Sequence, residues 1–184
     1  MDLTSLKQQD LALVGSRLTL SPLVERDFSG EYLSWLNDPE VFQFLETRWQ
    51  IQTEETVRAH IRNIENSPNQ LLLKISKTNS NQHIGNIKIG PIDINHHSAE
   101  LSYFVGAKGS WGNGYATEAI GLCIEFGFKV LGIHKFQAGC YEHNIGSQRA
   151  LQKAGFELEG CLKKRCRDVD GNWQDHLWYG LITS

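Results

Sequence analysis

Hydrophobic and polar residues along the chain recur in the two periods that distinguish strands from helices. Residues 17–23 alternate between apolar and polar side chains, as a half-buried strand does. Residues 25–37 carry apolar side chains at helical intervals, and an Asn-Asp-Pro sequence ends that pattern. Thr53 is followed by two glutamates and then by apolar residues on one helical face, which predicts an N-capped helix through about Glu65.

The middle of the chain predicts strands followed by a helix. Runs with strand-like composition at 70–76, 84–93 and 99–106 are separated by polar turns, which predicts an antiparallel meander. Residues 115–130 have the period of a helix with one buried face, and residues 135–141 predict a further strand. Strand, helix and strand form a β-α-β unit, with a ligand site expected at the carboxyl end of the first strand.

The last part of the chain adds one helix and two strands. Residues 145–154 predict a short amphipathic helix that Gly155 ends. Residues 156–165 and 173–181 predict two strands joined by an Asp-Gly turn. The order of elements therefore predicts a mixed α/β (α+β) fold.

A chain of 184 residues can form one substantial core and is too short for two independent ones. We therefore expect a single domain at residues 17–184, preceded by an N-terminal extension at residues 1–16. Hydrophobic residues make up 40% of the chain and charged residues 21%, which is typical of a soluble globular protein.

Charge and cysteine patterns argue against several classes of function. The formal net charge is −3 and no long run of Lys or Arg occurs, so a nucleic-acid partner is not favoured. No apolar run is long enough to cross a membrane and no secretory signal pattern is present, which predicts a cytoplasmic protein with free thiols. The four cysteines form no C-x-x-C pair, so no metal site is expected.

Candidate chemistry concentrates in residues 103–119, where a strand, a glycine turn and the start of a helix follow one another. The first four N–H groups of a helix lack a carbonyl partner within the helix. Gly112 and Gly114 can adopt positive φ and let the backbone approach a bulky anion, so these amides suit a pyrophosphate at the positive end of the helix dipole. The alternative is that the two glycines only shape a tight turn.

The same segment does not fit a dinucleotide-binding motif of the G-x-G-x-x-G type. Thr117 stands at the position of the third glycine. No acidic residue ends the strand that follows, where such a motif needs a carboxylate for the ribose. A nicotinamide or flavin enzyme is therefore not favoured.

Two groups of residues together resemble a known family. They are WGNGYATEA at 111–119, and Asn144 and Ser147 as N-x-x-S followed by KAGFELEG at 153–160. Both resemble the acetyl-CoA-binding motifs of the GNAT (Gcn5-related) N-acetyltransferases, in particular the Rim-type branch that acetylates ribosomal-protein N-termini. Further segments, RLTLSPLVERD, WLNDPEV, HIGNIKIG and DGNWQDHLWYGLI, agree in order, so the resemblance spans residues 17–182.

The resemblance implies a twisted, mostly antiparallel sheet of about seven strands flanked by helices. It also implies that acetyl-CoA lies in a V between two splayed parallel strands, which end near Val105 and Tyr141. Free main-chain groups of the first strand would pair with the pantetheine arm, and the glycine turn would hold the pyrophosphate. The residues implied in cofactor binding are Phe104, Val105, Gly106, Lys108, Trp111, Gly112, Asn113, Gly114, Tyr115, Ala116, Thr117, Asn144, Ser147 and Lys153.

Some of these residues have an alternative role. Lys108 is included because Gly109 stands where the family more usually has a cationic residue or glutamine. Asn144 is equally an N-terminal cap of the next helix. Lys153 is equally a lysine that faces solvent.

The resemblance assigns proton transfer less completely. Ser147 matches the position that, in the Rim branch, is thought to protonate the departing thiolate, although it is equally a first-turn helix residue. Some Rim-type enzymes carry a glutamate 19 residues further on, where this chain has Cys166. Glu100 is therefore expected to be the base, directly or through water, unless it is only a surface carboxylate. Glu46 and Arg48 fall where the family's acceptor site lies and are expected to orient the acceptor.

The expected reaction is direct transfer of the acetyl group from acetyl-CoA to a primary amine in a ternary complex, by a monomer or a homodimer. The expected acceptor is a protein N-terminus, as in the Rim branch. A small amine such as a nucleotide-linked amino sugar is the alternative, because FLETRW and HIGNIKIG are similar to segments of sugar-modifying members. A different class of function is a non-catalytic acyl-CoA-binding sensor, which the loss of the glutamate at Cys166 would suit.

Overall fold

The computed structural model describes residues 3–8 and 11–182, which form one eight-stranded sheet with helices on both faces. The strands are β1 Leu13–Val14, β2 Leu18–Pro22, β3 Leu71–Lys77, β4 His83–Asp93, β5 Ser98–Val105, β6 Lys135–Tyr141, β7 Glu157–Arg167 and β8 Trp173–Ile182. The α-helices are α1 Thr4–Gln8, α2 Gly30–Leu36, α3 Pro39–Phe42, α4 Glu54–Glu65, α5 Tyr115–Lys129 and α6 Ile145–Lys153. Short 3-10 helices lie at Glu25–Asp27, Glu46–Trp49 and Lys108–Ser110.

The sheet has the spatial order β1-β2-β3-β4-β5-β6-β8-β7. Among the strands described, only β5 and β6 pair in parallel, and the other neighbours are antiparallel. The predicted mixed α/β fold with a mostly antiparallel sheet is therefore confirmed. The sheet has one strand more than the expected seven, because the two-residue β1 pairs with β2 in a segment too short to show a period.

The predicted long elements occur close to their expected bounds, whereas the segment after β2 differs. A helix was expected over 25–37, but the chain forms the Glu25–Asp27 turn first and begins α2 only after Ser29, whose side chain accepts a hydrogen bond from Tyr32 N. The short α3 and the 3-10 helix at Glu46–Trp49 were not predicted, because a single turn is too short to show a hydrophobic period.

Two hydrophobic cores cover the two faces of the sheet. One core, beneath α5 and α6, includes the fully buried Ile87, Phe136 and Leu151. The other, beneath α2 and α4, includes Trp35 and Ile61. Adjacent residues of a strand point to opposite faces, so Leu71 and Leu73 of β3 belong to the first core and Leu72 to the second.

The N-terminal segment packs on the domain. Leu3 is fully buried within the core beneath α5 and α6. The ammonium of Lys7 donates to the carbonyl oxygens of Ile64 at 2.6 Å and Glu65 at 3.0 Å, at the carboxyl end of α4. A cation is favourable there because the last carbonyl groups of a helix carry a partial negative charge.

The parallel strands β5 and β6 separate along their length and form a V. They are paired only where Ser98, Ala99 and Glu100 face Lys135, Phe136 and Gln137. Beyond this point β5 continues to Val105 and β6 to Tyr141 without pairing to each other. The predicted opening between two splayed central strands is therefore present. Within the described ranges, no helix has both the length and the apolar surface to span a membrane.

We expect Thr53→Ala to lower the free energy of unfolding by about 1 kcal/mol, because it removes the cap of α4. Thr53 Oγ1 accepts a hydrogen bond from Thr56 N at 3.2 Å, and Thr56 Oγ1 accepts one from Thr53 N at 2.9 Å. Urea unfolding measures the effect, and Thr53→Ser, which keeps the hydroxyl, is the matched control. Equal losses in the two variants would contradict the assignment of the cap.

Candidate active site

The edge of β5 that faces the V carries main-chain groups from alternate residues. The N–H of Gly106 donates to the carbonyl of Ile84 at 2.8 Å, on the β4 side. Because main-chain groups along an antiparallel strand alternate between its two edges, those of Phe104 also point to β4 and those of Val105 point to the V. Trp111 confirms this direction, since its indole N–H donates to the Val105 carbonyl at 2.7 Å.

The expectation that the main-chain groups of Phe104, Val105 and Gly106 are all free is therefore corrected. The β4 ladder takes the main-chain groups of Phe104, and the carbonyl of Ile84 takes the N–H of Gly106, because β5 is an inner strand of the sheet. The carbonyl of Val105 is held by Trp111, which leaves the Val105 N–H directed into the V.

The glycine turn lies directly after this edge and leads into α5. Gly112 has φ 75° and Gly114 has φ 78°, the left-handed region that side chains disfavour. No side chain caps α5 in the described structure, so the amides of its first turn lack the usual acceptor. A Cβ at Gly112 would meet nothing within 4 Å, which shows that the turn borders open space. The main-chain amides of residues 112–117 thus border this open space, whereas the Trp111 N–H donates to the Lys108 carbonyl at 3.0 Å.

A cation that the sequence analysis did not single out lies beside this turn. Arg17 Nη1 donates to the Asn113 carbonyl at 2.8 Å, and its Nη2 lies 3.7 Å from an ideal Cβ on Gly114. Its Nε pairs with Glu118 at 2.7 Å, which fixes the guanidinium against the first turn of α5. Nothing in the sequence relates Arg17 to a helix about 100 residues later, and only the contact between β2 and α5 brings them together.

Lys108 lies in a different environment from the one expected. Its ammonium pairs with Asp38 at 2.8 Å and with Glu40 at 3.0 Å, at the start of α3. These two carboxylates raise the pKa of Lys108 by hydrogen bonding. The structure therefore corrects the idea of Lys108 as a free cation at the glycine turn, and Arg17 is the residue near Gly114.

Asn144 and Ser147 lie together at the start of α6. The Asn144 side-chain oxygen accepts a hydrogen bond from Ser147 N at 3.1 Å, so Asn144 does cap the helix. Ser147 Oγ lies 2.9 Å from the hydroxyl of Tyr103, a residue of β5. This contact connects α6 to β5 across the V, and the sequence analysis did not identify Tyr103 as part of the site.

The groups around Ser147 are protonated at neutral pH. Burial raises the pKa of Tyr103 far above its usual range, so the phenol keeps its proton. Burial also raises the pKa of Cys140 to about 11, although a hydrogen bond with Ser147 lowers it. Ser147 is therefore set among neutral hydrogen-bonding groups, and Cys140 is a thiol rather than a thiolate nucleophile.

Glu46 and Arg48 meet at the carboxyl end of β6. Glu46 accepts a hydrogen bond from the Tyr141 hydroxyl. The Arg48 guanidinium is buried over the Tyr141 ring at 4.6 Å and donates to the carbonyl of Leu45 at 2.8 Å and that of Arg167 at 2.7 Å. Arg48 thus joins the Glu46 segment to β7, and the carboxylate of Glu46 remains largely exposed.

Glu100 lies at the closed end of the V. It is paired with Gln137 in the last parallel rung, and its side chain is exposed. Because strand residues alternate in direction, Glu100 points to the face opposite Tyr103. Three residues also separate it from Tyr103, or about 10 Å along the strand.

Lys153 of the predicted site, and Cys166 at the position of the missing glutamate, lie apart from Ser147. Lys153 is exposed in the last turn of α6, about 9 Å along the helix from Ser147. Cys166 lies on β7, where burial and the charge of Glu46 raise its pKa, so it cannot replace a carboxylate base. Among the described residues, no three His, Cys, Asp or Glu side chains form a group that could hold a metal ion.

Comparison with known proteins gives a family match over most of the chain. The family model described as acetyltransferase (GNAT) domain matches residues 17–157. The chain is 35% identical over 88 residues to the ribosomal protein uS5-alanine N-acetyltransferase of Escherichia coli (strain K12), covering 47% of this chain and 44% of that protein. It spans less than half the length of the first curated relatives it matches, 46% and 40%.

Two solved structures are similar in fold. RimL, a ribosomal L7/L12 alpha-N-protein acetyltransferase in complex with coenzyme A, has a TM-score of 0.82 at 18% identity, covering 94% of this chain and 98% of that chain. The spermidine N-acetyltransferase from Vibrio cholerae, in complex with CoA and spermine, has a TM-score of 0.80 at 19% identity, covering 91% of this chain and 96% of that chain. At these identities the likeness establishes the fold.

Proposed function

The chain belongs to the GNAT family of acetyltransferases, and from that premise we propose that it moves the acetyl group of acetyl-CoA to the N-terminal amine of a protein. The observation that carries the proposal is the V between β5 and β6, which ends at the unpaired amides of the glycine turn. A cytoplasmic location, where acetyl-CoA and nascent proteins are both present, is part of the proposal.

The residues of the turn fit the phosphates of acetyl-CoA. Gly112 and Gly114 leave the first amides of α5 uncovered, and an anion there is stabilised by the N–H groups and the helix dipole together. Arg17 adds a positive charge beside Gly114. In the V itself, the Val105 N–H is the donor directed towards the acyl arm, and Asn144 keeps its amide NH₂ as a donor, since only its oxygen caps α6.

The reaction needs one proton to leave the nitrogen and one to reach the sulfur. Acetyl-CoA supplies the thioester, whose carbonyl carbon forms the new C–N bond while its C–S bond breaks. We assign protonation of the departing thiolate to Ser147, which lies on α6 beside the V. The Tyr103 hydroxyl at 2.9 Å orients the Ser147 hydroxyl and can resupply its proton.

The acceptor enters from the face that carries Glu46. A polyamine with several positive charges would need several carboxylates, whereas this face presents Glu46 next to the cationic Arg48. One carboxylate beside one cation suits an acceptor with a single α-amine better, which favours a protein N-terminus over a spermidine-like acceptor. Glu100 stays a predicted base, and its place at the closed end of the V requires water between it and the amine.

The function is tested by thiol release from acetyl-CoA across a panel of N-terminal peptides, spermidine, aminoglycosides and nucleotide-linked amino sugars. We expect release that depends on the peptides and acetylated peptide α-amines by mass spectrometry. Release with a small amine alone would overturn the protein acceptor. Tight acetyl-CoA binding with no transfer to any acceptor would favour a sensor.

We expect Gly114→Trp to abolish acetyl-CoA binding, because an indole would fill the turn in front of the α5 amides. Isothermal titration calorimetry measures the affinity. Gly132→Trp is the matched control, since Gly132 also has a left-handed conformation, with φ 63°, and has open space around its Cβ. Unchanged affinity in Gly114→Trp would rule out this turn as the phosphate site.

We expect Ser147→Ala to lower kcat by about 10²-fold while acetyl-CoA affinity is largely kept, since general acid catalysis contributes that much. The Asn144 cap uses Ser147 N and survives the substitution. Ser80→Ala, in the exposed turn before β4, is the control. If acetyl-CoA affinity falls as far as kcat does, Ser147 is a binding residue rather than the proton donor.

A further inference from the structure

His176 lies over the acceptor side of the V, in a space that a glycine provides. It is half-buried on β8, and its Cα faces that of Tyr141 on β6. A Cβ built on Gly139 would lie 2.9 Å from His176 Nε2, so the imidazole rests directly against the backbone of β6. Tyr141 and Trp178 hold the ring edge-to-face, at centroid distances of 5.8 Å and 5.4 Å.

His176 stands at the same level of the V as Ser147, on the opposite face of the sheet. The last parallel rung joins Glu100 to Gln137, and continuing that register brings Gly139 level with Ser102 and Cys140 level with Tyr103. Cys140 and Tyr103 both contact Ser147 on the α6 face. Gly139, the next residue of β6, points to the other face because strand residues alternate.

A thioester at this level of the V would have a hydroxyl on one side and an imidazole on the other. Glu100 belongs to the last paired rung, two residues nearer the closed end, which is about 7 Å along the strand. The imidazole therefore lies closer than Glu100 to this level of the V.

We propose that His176 is the catalytic base that takes the proton from the acceptor nitrogen. This inference rests on the proposed acetyltransferase function and specifies the residue that its acceptor side uses. His176 thus takes the role of base. Cys166 is poorly suited to that role because its thiol is protonated, and Glu100 because it lies at the closed end of the V.

Each proton in the reaction has a donor and an acceptor. An acceptor R–NH₃⁺ gives one proton to neutral His176, leaving R–NH₂, whose lone pair forms the C–N bond to the thioester carbonyl. The C–S bond breaks, and the sulfur takes a proton from Ser147. The second proton lost from nitrogen returns to Ser147 through water and the Tyr103 hydroxyl. His176 returns its proton to water, so each turnover releases one proton from an ammonium acceptor.

The charges around His176 keep the ring neutral and ready to accept a proton. Burial lowers the pKa of His176, the charge of Arg165 lowers it further, and Glu46 partly opposes them. Tyr141, which packs edge-to-face on the ring, donates its hydroxyl proton to Glu46, and the buried cation Arg48 lies over the Tyr141 ring. The pKa of Cys166 on β7 is affected by the same two charges as that of His176, those of Glu46 and Arg165.

A base with this lowered pKa fits an α-amine better than an alkyl amine. An α-ammonium has a pKa of about 8 and a lysine-like ammonium about 10.4, so proton transfer to His176 is far less unfavourable from the α-ammonium. The inference therefore predicts that peptide α-amines are acetylated in preference to polyamines, for a reason that lies in His176.

The test is the pH dependence of kcat/KM with the peptide substrate. In the wild-type enzyme, kcat/KM should rise with pH over the range below pH 6.5 in which His176 loses its proton. In His176→Gln, kcat/KM at neutral pH should be about 10²-fold lower than in the wild type. It should rise only near pH 8, where the peptide amine loses its own proton. His96→Gln, in the turn between β4 and β5, is the matched control and should keep the wild-type profile.

Calorimetry separates the outcomes. His176→Gln should bind acetyl-CoA as the wild type does, and added imidazole should partly restore turnover in His176→Ala. An unchanged profile in folded His176→Gln, together with loss of the acid limb in Glu100→Gln, would overturn the inference and leave the acetyltransferase function intact. Absence of transfer by the wild-type enzyme to every acceptor would overturn both.

Discussion

Everything in the candidate site depends on the separation of β5 from β6. A strand whose edge is not paired leaves N–H and C=O groups that must find other partners. Here the Val105 carbonyl is satisfied by the Trp111 indole, and Tyr103 reaches across to Ser147. The open edge is thus kept by specific side chains, and it leaves room for an extended ligand to take the place of a missing strand.

The two hydrophobic cores make this opening stable. Helices α5 and α6 cover one face, and α2 and α4 cover the other, so the strands on both sides of the V are anchored by buried residues such as Ile87 and Phe136. The same arrangement also places the residues of the candidate site on different faces of the sheet. The glycine turn and Ser147 belong to the α5 and α6 side, whereas His176 belongs to the opposite face.

Electrostatics distinguishes the two ends of the site. Arg17 and the uncovered amides of α5 make the glycine turn positive, and Glu118 fixes the position of Arg17 without covering the amides. At the other end, the buried Arg48 holds the Glu46 segment against β7 while Glu46 stays accessible. An anionic donor and a cationic acceptor would therefore be drawn to different ends of one cleft.

The sequence by itself determined the elements that rest on local patterns. The Thr53 cap, the β3-β4-β5 meander, and the glycine turn with its left-handed residues all follow from properties of neighbouring residues. Short helices such as α3 have too few residues to show a hydrophobic period, so the sequence did not predict them. Tertiary structure alone decided which side chains meet across the sheet: Arg17 at Gly114, Lys108 with Asp38, Tyr103 with Ser147, and His176 over Gly139. These contacts join residues far apart in the chain, and their positions depend on strand register and on the direction of each side chain, which no local pattern encodes.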